Sequence, residues 1–145
     1  MKGYVKAYCD FFESLNRDSL GQLENLFTAD ALFTDPFNRV RGPAAVRRIF
    51  EHLLRHYPQA RFKVLECNLS GNIAYLLWSF QPQPDKVLLI EGVSRVQLAP
   101  DGRVQAHRDY WDAASELYAR LPVLGAPMRC LLSQSQACSS DQIVD

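Results

Sequence analysis

The chain has 145 residues, 48% of them hydrophobic and 22% charged, with Lys+Arg equal to Asp+Glu. That is the composition of one ordinary globular domain with a core of useful size. A formal net charge of zero provides no field to hold nucleic acid or an anionic membrane, so neither is an expected partner.

In chain order, Tyr4, Tyr8, Phe11 and Leu15, with Val5 and Phe12 alongside, recur at helical spacing and predict an amphipathic first helix. Asn16-Arg17-Asp18 interrupts it, with Asp18 as the expected N-cap of a second helix carrying Leu20, Leu23, Leu26 and Phe27. Ala31–Asp35 reads as a short strand with Phe33 and Asp35 on one face, stopped by Pro36. Gly42-Pro43 opens a third helix whose apolar stripe is Val46, Ile49, Phe50, Leu53, Leu54 and Tyr57, and Pro58 ends it. Four strands follow, over Arg61–Leu69, Ile73–Phe80, Val87–Leu98 and Arg103–Trp111, joined by turn-rich segments that imply antiparallel hairpins. Ile73–Phe80 is apolar on both faces, so helices are expected on one side and the second subunit of a homodimer on the other. Ala113–Arg120 predicts a short helix, Val123–Leu132 a further turn or two, and residues 133–145 a polar, flexible tail after a domain spanning residues 1–132.

The first dozen residues contain no continuous apolar run, and no segment approaches membrane-spanning length, so a cytoplasmic protein is expected. Cys9, Cys67, Cys130 and Cys138 form no CxxC pair and read as free thiols, with Cys67 and Cys130 as buried apolar filler. No ligand cluster for zinc is present, and neither metal nor organic cofactor is expected. His52 and His56, one turn apart on the third helix, lack a third ligand and read as a solvated face.

The segment AHRDYWD, Ala106–Asp112, stands out. On a strand it puts His107, Asp109 and Trp111 on one face, with His107 and Asp109 roughly 6–7 Å apart along the backbone. An imidazole and a carboxylate among apolar neighbours form either the polar wall of a pocket or a structural network with Arg95 or Arg108.

Three stretches carry a family resemblance: LNRDSLGQLENLFTADALFTDP after the first helix, VRGPAAVRRIFEHLL, and HRDYWD. In this order they resemble the SnoaL-like members of the nuclear transport factor 2-like superfamily, relatives of ketosteroid isomerase and limonene epoxide hydrolase. The resemblance implies an α+β, cone-shaped curved antiparallel sheet wrapped around three N-terminal helices. It implies a pocket for a small hydrophobic molecule, with Asp109 as general acid/base, His107 beside it and Asp35 as a further polar group. Phe11, Phe33, Phe50, Trp78 and Trp111 would be the ligand-binding walls. The reaction implied is a cofactor-free isomerisation, cyclisation or hydrolysis; the alternative is a non-catalytic ligand-binding or accessory dimer with the same cavity.

The chain departs from two relatives' patterns. At the ketosteroid isomerase positions Asp35 matches the base, but Phe11 falls where a Tyr donates and Gly92 near a second Asp. At the limonene epoxide hydrolase positions Asp109 is matched, but Leu76 and Trp78 fall on an Arg and an Asp, and Phe33 and Asp35 on a Tyr and an Asn. SnoaL-like cyclases, which ask least of the protein's own groups, fit best.

Overall fold

The computed structural model describes residues 1–116 and, beyond them, Pro127, Cys130 and Gln134. Met1–Trp111 form one compact unit and Asp112–Asp145 another. The expected end of the helix at Arg120, the turns over Val123–Leu132 and the polar tail therefore lie almost wholly outside the described residues. Of them, Ala113–Glu116 is helical, with Asp112 accepting the Ser115 N–H.

In the first unit, α1 spans Lys2–Glu13 and buries Val5, Tyr8, Cys9 and Phe11. The stripe is thus rotated from the expected one, and Tyr4 is half exposed, with its ring against Gly102. The expected second helix is shorter than its leucine spacing suggests. A single 3-10 turn, Asp18–Gln22, leads into the four-residue helix α2, Leu23–Leu26. Asp18 does not cap it. Asn16 instead holds the start of the 3-10 turn, its side-chain oxygen accepting the N–H groups of Asp18 and Ser19.

Phe27, expected as helix, begins β1 (Phe27–Thr34), which extends the expected strand at its start and leaves Asp35 outside. A short strand that the sequence hid, β2 (Arg39–Arg41), pairs antiparallel with β1. Three residues with one half-buried valine carry no periodicity to detect. Helix α3 covers Pro43–His56 as its punctuation predicts, entered through Gly42 at φ +84°, a conformation that favours glycine. The remaining strands are β3 (Arg61–Ser70), β4 (Ile73–Gln81), β5 (Ile90–Leu98) and β6 (Val104–Trp111).

They form one six-stranded, unclosed, curved sheet in the order β2-β1-β6-β5-β4-β3. The expected meander is present, but β1 joins its far edge parallel to β6, so the sheet is mixed and not purely antiparallel. That pairing sets Phe33 opposite His107. The core lies where α1, α2 and α3 meet the sheet, around Tyr8, Leu23, Phe27, Phe33, Val46, Leu76, Val96 and Val104. The opposite face of β4 and β6 shows Tyr75 and Tyr110, 48% and 51% exposed, so the second apolar face of β4 is uncovered in the single chain. Among the described residues no helix is long and apolar enough to cross a membrane.

Candidate functional site

The alternation of β6 puts His107 and Asp109 on the helix-covered face, while Arg108 and Tyr110 point outward, the guanidinium 5.0 Å from the Tyr110 ring centre. Register does the rest. Asp109 lies opposite Ser94 on β5, and Ser94 opposite Leu76 on β4, two residue pairs from the Trp78–Gly92 pair and so on the same face. A Cβ at position 92 would stand 2.5 Å from the Trp78 ring. The indole can cross β5 only because Gly92 has no side chain there.

These placements create a continuous buried chain of hydrogen bonds. The Trp78 Nε1–H donates to Ser94 Oγ at 2.7 Å, and Ser94 Oγ–H donates to Asp109 Oδ1 at 2.5 Å. His107 Nε2 lies 2.6 Å from the same Oδ1, and His107 Nδ1 lies 2.8 Å from the Tyr8 hydroxyl on α1. An ionised carboxylate only accepts, so Nε2 carries a proton and donates it to Asp109. Nδ1 of the neutral ring is then an acceptor for Tyr8 O–H. An imidazolium would leave the Tyr8 hydroxyl proton with no acceptor among the described residues, at a side chain only 1% exposed. Among the described residues no buried side-chain nitrogen or oxygen is left without a hydrogen-bond partner.

The result is a directed network in which every proton points toward Asp109 Oδ1. Burial raises the Tyr8 pKa well above its ordinary value of 10.0, and the Asp109 charge pushes the same way. Tyr8 therefore stays a neutral donor, which fixes the imidazole tautomer. Asp109 is the least buried of the chain, its side chain 17% exposed against 5% for His107. Its second oxygen, Oδ2, accepts no hydrogen bond from the described residues. Chemically that is a carboxylate with one oxygen held and oriented and the other available to give or take a proton.

Arg95 and Arg108 take no part in the network, since both belong to the outward-facing positions of β5 and β6. Of the expected walls, Phe33 stacks on His107 at 4.6 Å with an 11° tilt, Phe50 packs on Phe33 at 5.8 Å, and Trp78 joins the network itself. Trp111 meets Phe37 at 5.6 Å, further along β6. Phe11 is buried and its ring meets Phe12. Phe12 is the residue of that pair that reaches His107, with ring centres 6.3 Å apart, and it also meets Phe50 and Phe62.

Asp35 stands apart. Its carboxylate accepts the backbone N–H groups of Phe37 and Asn38 and the Asn38 side-chain amide, closing the turn from β1 to β2. It makes no contact with the His107–Asp109 pair among its hydrogen bonds.

Two members of the network were missed by sequence reasoning. Tyr8 looked like one more aromatic in an apolar stripe, while Phe11 was aligned with the family's hydroxyl donor; the hydroxyl comes from one turn earlier. Ser94 could have been found from the period-two row Gly92, Ser94, Val96 on β5, small and polar where the neighbouring strand is apolar. The His52 and His56 rings on α3 lie 4.3 Å apart at a 47° tilt, and no group of three or more side chains able to hold a metal ion occurs among the described residues.

With this geometry in hand, the likeness to known proteins is specific. The SnoaL-like domain model matches residues 8–107, a span that runs from Tyr8 to His107. The chain belongs to the SnoaL-like domain family. Its fold is shared with a predicted isomerase of the SnoaL-like family from Agrobacterium tumefaciens, at 19% identity and TM-score 0.65 over 76% of this chain and 95% of that one. A predicted SnoaL-like polyketide cyclase from Shewanella putrefaciens gives 16% identity and TM-score 0.62, covering 80% and 84%. A protein of ketosteroid isomerase-like fold from Catenulispora acidiphila, in complex with trimethylamine, gives 14% identity and TM-score 0.64, covering 79% and 88%. No curated protein matches the chain in sequence. At these identities the structures show the nuclear transport factor 2-like fold alone, the isomerase-type α+β scaffold on which SnoaL-like proteins are built.

Proposed function

We propose that this SnoaL-like protein transfers a proton on a small, largely apolar substrate, with Asp109 Oδ2 as the general acid/base. The observation that carries the reading is the convergence of two donors on Oδ1 with Oδ2 left out. Ser94 and His107 orient the carboxylate, Tyr8 holds the imidazole in the donating tautomer, and Trp78 holds Ser94. Phe33 covers the His107 ring and Trp78 the Ser94 hydroxyl, so both donors to Oδ1 are buried, where an oriented carboxylate is worth more than in bulk solvent. Proton removal next to an electron-accepting group in the substrate, followed by return of the proton elsewhere, gives isomerisation or ring closure. Asp35 is assigned no proton transfer, its acceptor capacity being committed to its own turn.

A probe that reports proton abstraction directly is 5-nitrobenzisoxazole, which loses its C–H proton to a base as its N–O bond breaks. Wild type is expected to open it faster than free acetate at the same concentration. Asp109→Asn is expected to lose roughly 10²-fold or more of that rate while still binding the probe. An undiminished rate in Asp109→Asn would remove Asp109 from the chemistry.

The second reading is a non-catalytic ligand-binding or accessory protein, and one observation favours it: the buried network satisfies itself completely around Oδ1, as a structural tie between α1 and β6 would. It predicts ligand binding that Trp78→Ala weakens and no rate above acetate. In either reading the half-exposed Tyr75 and Tyr110 face is assigned to a second copy of the chain, and sedimentation of Tyr75→Asp as a monomer against a wild-type dimer tests it.

A further inference from the structure

A second cluster of reactive groups lies away from the network. Helix α1 packs beside β3, and between them runs a groove of about 640 Å³ whose lining includes Cys9, Cys67, Lys2, Lys6 and Glu66. Neither Tyr8, His107, Asp109 nor Trp78 lines it. The C-terminal end of α1 is fastened to β3 by the Glu13 carboxylate, which accepts the Val64 N–H at 2.9 Å at the start of a β-bulge.

Cys67 corrects an expectation. The sequence predicts buried filler, and in register Cys67 does lie opposite the inward-facing Leu76, but it lines the groove and is exposed. Cys130, read the same way, is also exposed. Cys9 is buried on α1 and faces Cys67 across the groove. Burial first, and then the charge and hydrogen bonding of Cys67, push the Cys9 thiol up to about 12. The two cysteines line the same groove, Cys9 from α1 and Cys67 from β3.

The pair is asymmetric in the manner an exchange reaction needs. One thiol is open to solvent, and the other is protected from external reagents but within reach of the first. The surrounding charges are of both signs: Lys2, Lys6 and Glu13 line the groove from α1 and Glu66 from β3. Lys2 and Lys6 lie one turn apart on α1; Lys6 pairs with Asp10, while Lys2 makes no ion pair among the described residues. Glu66 lies on the β3 side. A groove with both signs of charge suits a zwitterionic molecule, its carboxylate at Lys2 and its ammonium group at Glu66.

We propose that Cys67 and Cys9 form a thiol–disulfide exchange site for a small zwitterionic disulfide of the glutathione class. In the first step the Cys67 thiolate attacks one sulfur of the small disulfide. A protein–small-molecule S–S bond forms, the original S–S bond breaks, and one small thiolate leaves with the electron pair and takes a proton from water. In the second step the Cys9 thiolate attacks the Cys67 sulfur, the Cys9–Cys67 bond forms, and the second small thiol is released. Two protein thiols are oxidised by two electrons, and one disulfide is reduced to two thiols. The closed bond would also pin the helix that carries Tyr8, the residue before Cys9.

Oxidised glutathione incubated with the full chain, followed by acid quenching and peptide mass mapping, tests this. The expected product in wild type is a Cys9–Cys67 linked peptide pair, formed faster as pH rises. Cys9→Ala is expected to stop at glutathione on Cys67, and Cys9→Ser serves if the alanine variant does not fold. Lys2→Gln is expected to slow the first step roughly two- to five-fold at low salt with oxidised glutathione and not with uncharged hydroxyethyl disulfide. Wild type that retains glutathione on Cys67 without closing, or that modifies Cys130 and leaves Cys67 untouched, would overturn the proposal. So would a Lys2→Gln variant with an unchanged glutathione rate, as regards the chemical class of the ligand.

Discussion

Replacing Tyr8 with Phe removes one oxygen and leaves the ring, so it isolates the far end of the hydrogen-bonded chain. The ring packs edge-on against Phe12 at 5.0 Å and Phe27 at 5.6 Å, contacts that Phe retains. What is lost is the 2.8 Å bond to His107 Nδ1. Both partners are buried, at 1% and 5% exposure, so no bulk water replaces the donor and a buried acceptor is left unpaired. Such a loss costs about 1–3 kcal/mol, well above the near-zero expected for an exposed hydroxyl. In urea denaturation this corresponds to a midpoint lower by about 0.5–2 M with the slope unchanged. A loss below about 0.5 kcal/mol would refute the reasoning, because it would mean that Tyr8 does not donate to His107 in the folded protein.

Gly92→Ala is expected to lower the urea midpoint by about 1–3 kcal/mol worth of stability. Its new methyl would lie 2.5 and 2.6 Å from Trp78 Cζ2 and Cη2 and 2.9 Å from Trp111 Cβ, with an indole on one side and backbone-anchored carbon on the other. Asp35→Ala should cost about 0.5–2 kcal/mol through the lost turn acceptor, by comparison with cap residues, and leave benzisoxazole turnover in the folded protein intact; loss of turnover would return Asp35 to the site. Stability should also fall in alkali. The folded Cys9 thiol at about 12 stands above its ordinary 9.0, so its contribution is complete below pH 9 and lost as pH rises toward 12, by up to about 1.4 kcal/mol per pH unit. Tyr8 adds to the fall above its ordinary 10.0. Urea midpoints measured from pH 8 to 11 check this against Cys9→Ala, which should show a shallower decline below pH 10.

The fold was legible where the chain is punctuated. Gly42-Pro43 and Tyr57-Pro58 bracket α3, and the turn residues at 70–72 and 99–102 separate strands whose alternation survives in the structure. It was not legible where elements are too short for a period. The leucines of residues 20–26 fit one helix but form a 3-10 turn and one turn of α-helix, and β2 carries no pattern at all. The parallel pairing of β1 with β6 is a contact between residues more than seventy positions apart, and no local signal encodes it.

The site was half legible for the same reason. His107, Asp109 and Trp111 share a face because a strand alternates, and that much is local. Tyr8 and Ser94 belong to the network through helix docking and strand register, which single-chain spacing does not report. Alignment with relatives pointed to Phe11, one turn from the hydroxyl that reaches His107. The Cys9–Cys67 neighbourhood was invisible for a further reason: it depends on α1 leaning over β3 while leaving a groove, a matter of packing and not of pattern.

Nitrogen-15 NMR of the His107 ring tests the central arrangement most directly, because the directed network specifies which nitrogen holds the proton. The network predicts a neutral ring protonated on Nε2, with Nδ1 shifted as a hydrogen-bonded acceptor and released from that bond in Tyr8→Phe. A proton resident on Nδ1, or a ring whose Nδ1 signal ignores Tyr8→Phe, would contradict it and with it the oriented carboxylate on which the proposed chemistry of Asp109 rests.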